Sequence, residues 1–210
     1  NFPALFTVHG HKIDYNQEIA DHFNKFFVEI GPILAGKLDG THLSPFSSYL
    51  TNNITTRFQF SNVSTLDVTN VIKHFNPKTS VGHDGISMKV VKLFSMNLLY
   101  FLTQVINQSL STGIFPDKLK IAKILAIYKK EENNIFDNYR PISLLPTLSK
   151  VFERIVYNQL YSYFIQNKLL YFSQHGFRKL HSTETASLEF TDRIIQHLDN
   201  GKIPIAIFID

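Results

Sequence analysis

The stretch Asn138–Arg154 constrains this chain more than any other. Two prolines, Pro141 and Pro146, bracket the run Ile142-Ser143-Leu144-Leu145. A residue ahead of proline is pushed out of the α region, so the chain is extended up to Pro146. From Thr147 the apolar residues Leu148, Val151, Phe152 and Ile155 recur at helical spacing. A strand with a basic residue, Arg140, near its start therefore feeds directly into an amphipathic helix. Any fold has to give that strand a partner and that helix a core.

The strand partner lies just upstream. Ile121–Tyr128 has β-branched composition and rough alternation, and Lys129-Lys130-Glu131-Glu132-Asn133-Asn134 is a polar tip. With Tyr139–Leu145 as the return strand, this predicts a hairpin with a basic edge. Before it, helical spacing predicts a helix from Asn16 to about Gly31 or slightly beyond, kinked or ended by Pro32. Residues 36–62 read as a long connection. Ser64 with Asp67 marks a capped start for a helix through Val68, Val71, Ile72 and Phe75, closed by Pro77. Val90, Val91, Phe94, Leu98, Leu99, Leu102, Val105, Ile106 and Leu110 form a further helical pattern, broken near Ser95-Met96-Asn97 and stopped by Gly113. After the central helix come a basic loop, Gln174–Lys179, and a helix capped by Ser182 or Thr183 and ended at Asn200-Gly201. Ile203 to Asp210 reads as a buried strand with one carboxylate at its tip.

Composition excludes several function classes. There is no Cys among the 210 residues, so no disulfide frame, no Cys-based zinc site and no Cys nucleophile. The longest apolar run, Leu98–Leu102, is too short to span a bilayer, and no signal peptide is visible, so no membrane partner is expected and the location expected is cytoplasm or nucleus. The net charge is only +4, but residues 115–180 carry 11 Lys/Arg against 5 Asp/Glu. That third is a candidate polyanion surface, or simply a solvated face.

Two local features carry chemistry. In Asn76–Ile86 two glycines bracket His83 and Asp84, allowing positive φ or close backbone approach. The loop lacks P-loop spacing, and Asp84 suits a cap for the next helix. Asp210, at the end of an apolar strand, has the placement of a Mg2+ ligand in a phosphoryl-transfer enzyme, or of a strand-terminal turn residue.

Five motifs in order resemble the reverse transcriptase of non-LTR, LINE-like retrotransposons of the jockey type. They are Ser80–Ile86, Gly113-Ile114-Phe115-Pro116 with Ile121–Lys130, Asn138–Arg154, Gln174–Arg178 with Ser182-Thr183, and Ile207-Phe208-Ile209-Asp210. The resemblance implies an α+β fold, mostly helical: the fingers and the start of the palm of a right-hand polymerase. It implies a helical lead-in or linker over 1–76 and a partial polymerase domain over 77–210. Residues 16–38 resemble the linker helix that precedes the domain in such polyproteins. By resemblance, Asp210 is catalytic and holds Mg2+, while Lys129, Lys130 and Arg140 meet the phosphates of the incoming dNTP. Arg178, Lys179, Gly176 and Asp84 resemble nucleic-acid-facing positions. The implied partners are an RNA template, a DNA primer and dNTPs, and the oligomeric state is open.

One departure bears on activity. The family completes its metal site with a later Tyr-x-Asp-Asp turn, and no two Asp residues are adjacent in this chain. One carboxylate cannot hold two Mg2+ ions in catalytic geometry, so the 210-residue chain alone is expected to be an inactive, truncated polymerase. Two other classes compete: a non-catalytic RNA-binding fragment, with salt-dependent affinity, and a helical domain with incidental charge. The last strand, lacking partners, is expected to expose its apolar face and to lower solubility.

Overall fold

A computed structural model describes residue 3 and residues 5–8, 11–38, 56–78 and 80–208. The architecture is α+β. Its elements are β1 (Phe6–Val8), β2 (His11–Ile13), α1 (Asn16–Ala35), α2 (Thr65–His74), α3 (Met88–Leu93), α4 (Ser95–Thr112), α5 (Asp117–Lys120), β3 (Lys123–Tyr128), β4 (Tyr139–Leu144), α6 (Thr147–Gln166) and α7 (Thr183–Asp199). Two antiparallel pairs, β1–β2 and β3–β4, are the sheets among the described residues. The chain divides into two compact units, Asn1–Leu160 and Tyr161–Asp210.

The first unit has two cores. The larger is built by Val68, Val71 and Ile72 of α2, Met88 and Val91 of α3, Leu102 and Ile106 of α4, and Val151, Phe152 and Ile155 of α6. Each set follows the helical spacing of its element, and Ile106 and Val151 are fully buried. The smaller core is aromatic. Phe6 of β1 lies with its ring centroid 5.3 Å from Phe23 of α1, 4.8 Å from Phe136 and 5.7 Å from Tyr139 of β4. The β1–β2 pair and α1 thus form a platform under one face of the β3–β4 hairpin.

The residues after β4 join these pieces. Pro146, Thr147 and Ser149 are fully buried. The Thr147 hydroxyl donates to the Ile86 carbonyl at 2.6 Å and the Ser149 hydroxyl to that of Leu119 at 2.5 Å. A Cβ on Gly82 would lie 2.7 Å from Pro146 N, so the backbone of the 80–87 loop packs directly on Leu145-Pro146. The close approach expected of a glycine there is found at Gly82, and the positive φ at Gly85.

An extended segment crosses the far side of this core. The Gln159 amide pairs with both N–H and C=O of Ser61, at 2.9 Å each. The Asn107 amide does the same for Val63, at 2.8 and 2.9 Å. Two side chains thereby stand in for a strand partner.

Several expectations are corrected. α1 continues through Pro32 to Ala35, forgoing the one bond that a residue-32 N–H would make to the Val28 carbonyl. The cap of α3 is Ser87, whose Oγ accepts from Val90 N, while Asp84 accepts from Ile86 N at 3.1 Å two residues ahead. The break expected near Ser95 in the Val90–Leu110 pattern is found at Phe94, between α3 and α4, but Val90, Phe94, Leu98 and Val105 of its apolar face are exposed, because that stripe is wider than α2 and α6 can cover. Residues 202–208 form no strand: Ile203 and Ile207 are 89% and 83% exposed, and no strand among the described residues pairs with them. The expected exposure of that apolar face is observed; the buried strand is not. Ile209 and Asp210, and residues 39–55 of the long connection, lie outside the described residues.

Candidate nucleotide and nucleic-acid interface

The hairpin begins as sequence pattern. Lys-Ile-Leu-Ala-Ile-Tyr has the alternation and branching of a strand, and its partner carries Pro141, tolerated because β4 has a neighbour on one side only. The register pairs Tyr128 with Tyr139, Ile127 with Arg140, Ala126 with Pro141, and on to Lys123 with Leu144. Directly opposed residues share a face, so the hairpin is two-sided. Tyr139 and Ala126 face the aromatic platform. Burial raises the Tyr139 phenol pKa, with Tyr128 adding to it. On the other face stand Arg140, Ile127, Leu125, Ile142 and Lys123, all exposed.

Arg140 has no hydrogen-bond or ion-pair partner among the described residues, so its guanidinium is available for an anion. Lys129 and Lys130 lie at the tip and are exposed. Lys130 approaches Glu131 at 3.5 Å with both side chains largely in solvent, a contact worth little. The tip itself is tied down. Lys129 N donates to Asn138 O at 2.8 Å, Asn138 Nδ2 to Glu132 O at 2.9 Å, the Tyr139 hydroxyl to Asn133 O at 2.6 Å, and the Tyr128 hydroxyl to Glu131 O. Thr7 N of β1 donates to Asn134 O at 3.0 Å, bracing the tip from below. The hairpin therefore brings Lys129, Lys130 and Arg140 onto one braced element.

Asp84 sits in the loop that packs on Pro146, just past β4, with its carboxylate turned to the local Ile86 N–H. His83 Nδ1 contacts the Ile121 carbonyl at 3.0 Å, fastening this loop to the base of β3.

The Gln174–Lys179 loop belongs to the second unit. Arg178 Nη1 donates to the carbonyls of Tyr171 and Phe172, both at 3.3 Å, so its guanidinium braces the loop's own backbone. Lys179 is exposed, and its N–H donates to the Tyr161 hydroxyl at 3.3 Å. Gly176 has open space around it; the left-handed residue is Phe177, φ 59°, with its ring wholly in solvent.

A network that sequence reasoning missed holds this loop to α7. His175 contacts Glu189 Oε2 at 2.7 Å and Thr185 Oγ1 at 3.0 Å. Glu189 Oε1 also accepts from Arg193 at 2.6 Å and from Ser173 at 3.0 Å. The His175 contact first, then Ser173 and Arg193, hold the Glu189 carboxyl below its ordinary range. Only the i, i+4 spacing of Glu189 and Arg193 was visible as a pattern. Among the described residues no group of three or more His, Asp or Glu could hold a metal ion, and Asp210 lies outside them.

Known proteins give an independent measure. No family model matches the chain. It is 34% identical over 146 residues to a probable RNA-directed DNA polymerase from transposon BS of Drosophila melanogaster, covering 69% of this chain and 16% of that protein. It is 30% identical over 164 residues to the RNA-directed DNA polymerase from mobile element jockey of the same fly, covering 77% and 18%. A probable RNA-directed DNA polymerase from transposon X-element is 30% identical over 146 residues, 69% and 16%. The chain thus spans less than a fifth of the length of these relatives. The resemblance to jockey-type reverse transcriptases carried by the motifs is borne out.

Proposed function

From that kinship with jockey-type RNA-directed DNA polymerases, we propose that the chain is the fingers and the beginning of the palm of a reverse transcriptase, with residues 1–76 leading into the polymerase portion at 77–210. The observation that carries this reading is the two-sided hairpin. One face is locked on an aromatic platform; the other presents an unpaired Arg140, with Lys129 and Lys130 at the tip. A planar guanidinium held on a braced strand can take two phosphate oxygens at once, and the tip lysines add point charge. Arg140 on this reading binds the triphosphate of the incoming dNTP. Asp84, Gly176, Arg178 and Lys179 belong to loops that steady the RNA template and DNA primer, Arg178 by bracing its loop rather than by direct contact.

The reaction calls on Mg2+, which when bound would stabilise charge on the attacking and leaving oxygens of an in-line displacement. Asp210 is the proposed carboxylate ligand. The described residues hold no ligand set, so the steps assigned to this chain are binding ones: phosphate capture, and alignment of the template.

The test uses a polymerase-length chain containing this segment. Arg140→Gln should raise KM for dNTP roughly tenfold or more, the worth of a charge-assisted pair, with template affinity unchanged. Arg140→Lys should recover only part of the loss. An unchanged KM would remove Arg140 from the nucleotide site.

A further inference from the structure

A second polar site lies in the first unit, away from the hairpin face. α2 and α6 flank a groove of about 730 Å³, closed at one end by the clamped segment Ser61–Val63. Its floor is apolar, with Val71 and Ile155, and its rims are polar. The Arg154 guanidinium of α6 lies over two rings, its Cζ 5.9 Å from the centroid of Phe75 and 5.4 Å from that of Tyr157. Two cation–π contacts hold the guanidinium in place without using its N–H donors. Arg154 has no ion pair or hydrogen bond among the described residues.

The surrounding groups select the ligand. Asn70 and Asn158 bring amides to the rims, and neither side chain has a partner among the described residues. His74 Nδ1 is spent on the Asn70 carbonyl at 2.7 Å, which leaves Nε2. The one carboxylate in the lining, Asp67, is already occupied by Ser64 N at 2.8 Å and Ser64 Oγ at 2.6 Å, capping α2. The free inventory is one donor-only cation, the donor–acceptor amides of Asn62, Asn70 and Asn158, the His74 Nε2 and an apolar floor. It suits a ligand with an anionic group, hydrogen-bonding edges and flat apolar faces.

We propose that this groove binds single-stranded RNA, with one phosphate seated on Arg154 and neighbouring ribose or base edges on Asn70 and Asn158. The choice of RNA over another anion rests on the reverse transcriptase reading. Stacked aromatic and cationic groups along a groove are the usual means of holding a single strand without reading its sequence. An acidic peptide would also satisfy Arg154, and competition between the two ligands separates the two readings.

The experiment is fluorescence anisotropy of the 210-residue chain with labelled oligouridylate of about ten nucleotides, followed by photocrosslinking. Arg154→Gln and Asn158→Asp change exposed positions, and thermal melts check that both fold. Each should weaken binding roughly tenfold, and crosslinks should map to Phe75 and its neighbours. Unchanged affinity in both groove variants, or crosslinks elsewhere, would overturn the proposal. So would oligoglutamate competing as well as unlabelled RNA, which would make this a peptide site. If Arg140→Gln leaves nucleotide KM untouched in the polymerase while the groove still binds RNA, the hairpin reading fails and this one stands.

Discussion

Gly82 shows how much a single residue sets here. A methyl group there would press on the Leu145-Pro146 backbone, which cannot retreat because Pro146 is fully buried. Gly82→Ala should cost about 1–3 kcal/mol of overpacking, read from denaturant midpoints. Thr147→Val keeps the shape but leaves the Ile86 carbonyl without its donor, and should cost about 1–3 kcal/mol. Glu189 sets an acid limit on its loop. Its native pKa is depressed, so its support for the 173–176 segment is complete above 4.5, the ordinary glutamate value. That support is lost as pH falls below this through the native value. Amide exchange at Ser173–Gly176 should accelerate over that acid limb in the wild type, and Glu189→Gln should abolish the pH dependence.

Among the elements, those legible in sequence carried a local signal. The β3–β4 hairpin announced itself by alternation and Pro141, α6 by its helical stripe, and α2 by Ser64 and Asp67, which form a full capping box. Ser64→Ala should cost about 1 kcal/mol in thermal or chemical unfolding. The elements that escaped notice depend on partners distant in the chain. β1 and β2 are three residues each and gain their stability from Phe6 packing on Phe23 and Phe136. The Ser61–Val63 segment has no strand pattern, because Gln159 and Asn107 supply its hydrogen bonds from helices 98 and 44 residues away. The 202–208 segment failed in the opposite sense: its composition is that of a strand, but a strand also requires neighbours. Of the candidate site, the identities of Arg140 and the tip lysines were legible; the two-sidedness that leaves Arg140 free was not, since it depends on the aromatic platform. The spending of Arg178 on backbone carbonyls was equally invisible.

At the scale of the whole molecule, the match covers only 16% and 18% of the length of the relatives from transposon BS and jockey, and much of the chain's apolar surface is uncovered. Phe94, Met96 and Phe101 on α4 and its approach, Leu188 and Ile195 on α7, and Ile203–Phe208 are apolar and exposed. Surfaces of this kind associate when left in water. The isolated chain should therefore show concentration-dependent self-association in light scattering, weaker when Phe101 and Ile203 are replaced by polar residues. The most direct measurement of the central claim is primer extension on an RNA template by a polymerase-length chain containing this segment, comparing wild type with Asp210→Asn in the presence of Mg2+. The account predicts extension at background level in the variant with RNA affinity intact. Extension at the wild-type rate without that carboxylate would contradict the assignment of this segment to the catalytic palm.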